Sequence, residues 1–155
     1  MTIRRLFLPL LSALLAFTLL ACQTTTTTTA GLDYSDFDYI EDYDEVFTRR
    51  EGTYVVYLYS LSCAQCETIK DDVLAFASSY ADRTVYFFNL DLGSSTLQNT
   101  FLTTLGKATV GTPTVILVAD GGFDKTASSR YFFTGSSDVL SILADLAKGS
   151  YPYWS

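Results

Sequence analysis

Residues 53–66 read TYVVYLYSLSCAQC. The first eight, Thr53 to Ser60, are apolar on both faces and rich in β-branched and aromatic side chains, which predicts a central strand covered from both sides. A helix is expected directly after it. Cys66, Ile69, Val73, Phe76 and Tyr80 step by three and four residues and form one apolar stripe, so the helix is read from Ser62 to about Tyr80. Ser62 and Gln65 have the Ser-x-x-Gln spacing of a capping box, which makes Ser62 the expected cap and Cys63 the first helical residue. The Cys63 sulfur would then lie among unsatisfied N–H groups at the positive end of the helix, where a thiolate is stabilised. Its pKa is expected below the free-cysteine value of about 8.5. Cys66, one turn further on and within the apolar stripe, is expected to be more buried. This asymmetry supplies a nucleophile, Cys63, that attacks a disulfide, and a resolving thiol, Cys66, that displaces the mixed disulfide.

Two cysteines at this spacing have other uses. A zinc site wants four ligands, and the chain offers this pair with no histidine at all. Copper would want histidine or methionine. A permanently oxidised structural bridge remains open, although so short a loop removes little entropy from the unfolded chain. The strand–CxxC–helix context favours redox chemistry, with neither metal nor organic cofactor.

Outward from the dithiol the pattern continues. Thr84 to Leu90 (TVYFFNL) reads as a second doubly buried strand. Leu97, Phe101 and Leu105 predict a short helix over Ser95–Leu105, and Thr114 to Ala119 (TVILVA) a third strand. Asp120-Gly121-Gly122 signals a turn, with Ser129 to Thr134 returning as the other arm of a hairpin. Val139, Ile142, Leu143 and Leu146 mark a last helix ended by Lys148-Gly149. A strand–helix–strand start implies a parallel pair with a right-handed crossover, and the hairpin adds antiparallel strands. The expected class is α/β, a mixed sheet of about four strands with helices on both faces.

The stretch YVVYLYSLSCAQC, its helix, and VGTPTVILVADGG at Val110–Gly122 resemble the thioredoxin-like superfamily over roughly Asp36 to Gly149. The resemblance implies the three-layer thioredoxin-like fold, with Pro113 in the cis form packed opposite the dithiol. It also implies that the backbone of Thr112 offers edge hydrogen bonds to a substrate peptide. The chain departs from that pattern in three places. Ser62 stands where an aromatic residue often precedes the first cysteine. Ala64-Gln65 is neither the thioredoxin dipeptide nor a histidine-containing one. Tyr57 stands six residues before Cys63, where many thioredoxins bury an acid. Glu67 and Lys70 are expected to face solvent as an i, i+3 pair.

The N-terminus reads as an address. Arg4 and Arg5 precede a mostly apolar run from Leu6 to Ala21, shorter than the roughly 20 residues of a spanning helix and suited to a secretory leader. Leu19-Leu20-Ala21-Cys22 resembles the lipobox of bacterial lipoproteins. That resemblance implies removal of residues 1–21 and attachment of diacylglycerol to Cys22, which anchors the chain to a membrane. Residues 22–32, with threonine at every position from Thr24 to Thr29, read as a tether. The domain is expected over 33–149, followed by an aromatic tail, 150–155. The acidic, tyrosine-rich start LDYSDFDYIEDYDEVF reads as a solvated helix begun by Ser35 or Asp36 and ended by Gly52. Its acids lack the spacing of a calcium loop.

The chain has 155 residues, 10 basic and 17 acidic, and a net charge of −7. Such a balance excludes ordinary nucleic-acid binding. Without histidine, mechanisms that need an imidazole fall away too. These features combine into a thiol–disulfide oxidoreductase tethered to the outer face of a bacterial cytoplasmic membrane. Its partners are extracytoplasmic protein thiols or disulfides. A reductase in that place also needs a transmembrane electron-transfer partner. The alternative is a non-catalytic binding or accessory module with a static disulfide.

Overall fold

The computed structural model describes residues 31–120 and 122–154. The leader, Cys22, residues 23–30 of the tether, Gly121 and Ser155 lie outside the described residues. No helix among the described residues is long and apolar enough to cross a membrane.

A single mixed sheet organises the chain. Its strands are β1 (Tyr39–Ile40), β2 (Tyr54–Tyr59), β3 (Val85–Asn89), β4 (Thr114–Val118) and β5 (Phe132–Thr134), in the order β1-β3-β2-β4-β5. β2 and β3 are parallel, with α1 (Ala64–Thr68) and α2 (Lys70–Ser79) making the crossover between them. β4 runs antiparallel to β2, and β5 antiparallel to β4. The helices α3 (Ser95–Leu105), α4 (Ser128–Tyr131) and α5 (Ser136–Ala147) complete the fold.

Alternation along β2 explains why it is apolar throughout. Val55 and Tyr57 point into a core closed by Ile69, Val73 and Leu74 of the first crossover and by Val139 and Ile142 of α5. Tyr54, Val56 and Leu58 point into a second core, closed by Phe101 and Leu105 of α3 and by Tyr43 and Val46. The sheet is thus the middle of three layers.

Four elements differ from expectation. The fifth strand comes from the acidic stretch, where Tyr39–Ile40 pairs in parallel with Phe87–Phe88. Around it the predicted helix is replaced by 3-10 turns at Tyr34–Asp36 and Tyr43–Phe47. The aspartates cause this. Asp33 and Asp36 form a reciprocal capping box, and Asp42 Oδ1 accepts from the N–H of both Tyr43 (2.7 Å) and Ser94 (2.8 Å). Aspartate competes with the helix for backbone groups. Gly52 ends no helix here; at φ +72° it forms the bend before β2.

The long helix expected over 62–80 is broken at Ile69 (φ −107°, ψ 6°), which caps both α1 and α2. Thr68 Oγ1 donates back to the Ala64 carbonyl at 2.9 Å, a bond that bends helices. The hairpin is also looser than predicted. Ala119 and Gly122 do bridge across the turn, but Asp124 then caps a 3-10 turn at Lys125–Ala127 that runs into α4. Only Phe132–Thr134 of the predicted return strand pairs with β4. The aromatic tail is docked: Tyr151 and Trp154 pack on the first core, and Trp154 Nε1 donates to the Tyr80 hydroxyl at 2.9 Å.

Candidate active site

β2 is the central strand. Beyond its C-terminal end the chain turns through Ser60–Cys63, with Cys63 N–H donating to the Ser60 carbonyl at 3.2 Å. Cys63 and Cys66 follow, joined as a disulfide with Cα atoms 5.2 Å apart. Cys63 is half-buried and Cys66 is 2% exposed, so only the first sulfur meets solvent.

The cap of α1 is Cys63, not Ser62. Cys63 is still extended (φ −83°, ψ 100°), and its own Sγ accepts from the Cys66 N–H at 3.0 Å. Ser62 lies outside the helix with its Oγ 3.5 Å from Ser60 Oγ, and Gln65 takes no part in a capping box. The Ser60–Cys63 turn delays the helix by one residue, so the cysteine takes the position where a side chain can reach the free N–H groups. The sulfur therefore has a backbone donor aimed at it, the arrangement that stabilises a thiolate.

The Thr112–Pro113 peptide is cis. In the β2–β4 pair Leu58 stands opposite Thr114. That register brings Pro113 and the dithiol turn out at the same end of the sheet. Pro113 is buried, and its carbonyl accepts from the Gly135 N–H at 2.9 Å. Thr112 is half-buried, and among the described residues its backbone N–H and carbonyl have no protein partner.

Several neighbours were not visible in the sequence. Tyr34 packs against the sheet, with ring centroids 4.1 Å from Tyr59 and 5.9 Å from Tyr57. Lys70 does not pair with Glu67. It bonds Asp33 at 3.1 Å and lies over the Tyr34 ring at 5.1 Å. That ammonium holds the Asp33 carboxyl below the usual carboxylate range. Burial pushes the Tyr34 phenol up to about 12 and raises Tyr57 and Tyr59 as well. Asp91, beyond β3, accepts from the Leu61 N–H at 2.8 Å and fixes the turn that carries Cys63. These contacts join residues about 20 to 40 positions apart, where no local spacing could announce them. Period-two alternation along β2 does put Tyr57 and Tyr59 on one face. Among the described residues no group of three or more His, Cys, Asp or Glu could hold a metal ion.

No protein-family model matches the sequence, and no curated protein matches it significantly. The likeness is in solved structures. One from a study of thiol resolution in the yeast mitochondrial 1-Cys peroxiredoxin superposes with a TM-score of 0.54 at 12% identity, covering 76% of this chain and 99% of that one. Oxidised mitochondrial thioredoxin 3 of Saccharomyces cerevisiae gives 0.53 at 15%, covering 75% and 97%. Oxidised thioredoxin O2 of Arabidopsis thaliana gives 0.52 at 18%, covering 77% and 97%. The strand order, the central strand leading into the dithiol, and these superpositions show that the chain has the thioredoxin-like α/β fold.

Proposed function

We propose that the protein is a thiol–disulfide oxidoreductase acting on polypeptides outside the cytoplasmic membrane, to which its N-terminal cysteine is anchored. The observation that carries the reading is the Cys63 sulfur, reachable from solvent, facing the Cys66 N–H and bonded to a buried partner sulfur. The Leu19–Cys22 lipobox pattern and the threonine tether support the location.

In the reducing direction the Cys63 thiolate attacks one sulfur of a client disulfide. A Cys63–client bond forms as the client's S–S bond breaks, and the first client thiolate leaves. Cys66, deprotonated, then attacks Cys63 Sγ, closing the Cys63–Cys66 bond and releasing the second client thiolate. Two electrons pass to the client, and the released thiolates take up protons from water. The reverse sequence oxidises a client dithiol. An extended client strand beside Thr112 would find that residue's free backbone groups, and β-type pairing there would hold the client's sulfur in line.

The test is a trapping experiment. Cys66→Ser in the full chain leaves the attacking sulfur without its resolving partner. It is expected to accumulate covalent complexes with extracytoplasmic proteins that thiol reductant releases, whereas Cys63→Ser accumulates none. Equal yields from both variants, or none from either, would mean that the disulfide is static.

A further inference from the structure

We infer that Thr114 is a positioning residue for the exchange reaction: its buried hydroxyl aims the backbone N–H of Thr112 at an extended client. This rests on the exchange chemistry above and names the group that prepares the docking edge. Thr114 opens β4 and is 0% exposed. Its neighbours along the strand, Val115 to Val118, are apolar, and packing alone asks for no hydroxyl there. A buried hydroxyl needs a partner. This one finds it in the loop before the strand, where Thr114 Oγ1 donates to the Gly111 carbonyl at 2.8 Å. A second acceptor, Thr134 Oγ1 on β5, lies at 2.9 Å, and the single proton is shared between the two.

The consequence falls on Thr112. The Gly111 carbonyl and the Thr112 N–H belong to one trans peptide and point in opposite directions. A bond that holds the carbonyl towards buried Thr114 therefore holds the N–H away from it. On the other side of Thr112, the Pro113 carbonyl is held by the Gly135 N–H at 2.9 Å, with the Thr134 hydroxyl 3.5 Å away. The carbonyls flanking Thr112 are thus engaged within the protein, while its own N–H and carbonyl have no protein partner among the described residues. Gly111 is exposed, and a Cβ added there would meet no atom within 4 Å, so the strip beside Thr112 has room for a client chain.

The aimed edge and the dithiol turn leave the sheet at the same end. Thr114 pairs with Leu58, Thr112 lies two residues before Thr114, and Ser60, which opens the turn to Cys63, lies two residues after Leu58. Without the Thr114 hydroxyl the Gly111–Thr112 peptide has no side-chain bond to fix its plane. Its orientation must then be set as the client docks, and that ordering cost falls on client affinity, not on the reactivity of the sulfur.

The experiment uses the reduced full chain and two disulfides. One is a short extended peptide whose single cysteine is held as a glutathione mixed disulfide. The other is hydroxyethyl disulfide, which has no peptide groups to pair. Thr114→Val removes the hydroxyl and keeps the branched shape. Its KM for the peptide is expected to rise about tenfold with kcat little changed. Its rate with hydroxyethyl disulfide is expected to stay within about twofold of the parent protein's. Thr114→Ser restores a hydroxyl and is expected to restore the peptide KM. A second measurement does not depend on Thr114→Val folding: in the Cys66→Ser protein, which keeps the peptide as a mixed disulfide, exchange of the Thr112 amide hydrogen is expected to slow about tenfold on capture. A peptide KM untouched by Thr114→Val, an equal loss with both disulfides, no rescue by serine, or no slowing at Thr112 overturns the proposal. Failure of the dithiol chemistry looks different: the parent protein then reduces neither disulfide.

Discussion

The hydroxyls of Tyr34 and Tyr57 are enclosed in the core on one face of β2, where they meet only each other and make no well-formed hydrogen bond among the described residues. A buried polar group without a partner costs free energy, and removing it costs nothing in lost bonds. Tyr57→Phe is therefore expected to leave stability unchanged or raise it by about 1 kcal/mol, measured as a urea midpoint moving upward at constant slope. A loss of that size would show that the hydroxyl is engaged. A like economy governs Cys63. Because Ser62 falls outside the helix, the cysteine is both cap and nucleophile, and one N–H of Cys66 serves both roles. The capping-box spacing pointed to the right turn of chain and missed the cap by one residue, because the Ser60–Cys63 turn cannot be read from side-chain types.

Elements whose signals are local were the legible ones. α3 spans the predicted Ser95–Leu105, since Leu97, Phe101 and Leu105 need only their own helix to line up. At the end of α5 the signal is a glycine. Gly149 is left-handed at φ +61°, its N–H donates to the Leu146 carbonyl, and Ser150 N–H donates to Asp145. This Schellman pattern closes the helix. Gly149→Ala meets no atom within 4 Å and is penalised by backbone conformation alone. A loss of about 1 kcal/mol in thermal or urea unfolding is expected, with α5 otherwise intact. β1 had no comparable signal. Two residues cannot show a period, and Tyr39–Ile40 becomes a strand only because β3 supplies an unpaired edge. Its flanking aspartates look like a helix face until their carboxylates are seen on backbone N–H groups.

At the scale of the whole molecule, five tyrosines are buried in the sheet or against it among the described residues (Tyr34, Tyr43, Tyr54, Tyr57 and Tyr86), and this sets the response to alkali. Burial pushes Tyr34 and Tyr86 from the ordinary value of 10.0 up to about 12, and Tyr54 and Tyr57 move the same way. In the pH window between 10 and 12 the folded state keeps protons that the unfolded chain gives up. Stability is therefore full below pH 10 and falls as pH climbs towards 12. Circular dichroism should report cooperative alkaline unfolding across that window, with tyrosinate absorbance rising together with the loss of structure. Gradual titration of these phenols in an intact fold would contradict the burial described.

The larger architecture was readable because CxxC and the Thr112–Pro113 loop each follow or precede an unmistakable strand. The contacts around the dithiol turn were not, because Tyr34 meets Tyr59 and Lys70, and Asp91 meets Leu61, only once distant segments assemble.

The account depends on the Cys63 sulfur being a thiolate at neutral pH, and alkylation of the reduced full chain as a function of pH tests this directly. Cys63 is expected to react with a midpoint clearly below the free-cysteine value of about 8.5, while Cys66 stays nearly inert until the chain is unfolded. A Cys63 midpoint at or above that value, or equal reactivity of the two thiols, would contradict it.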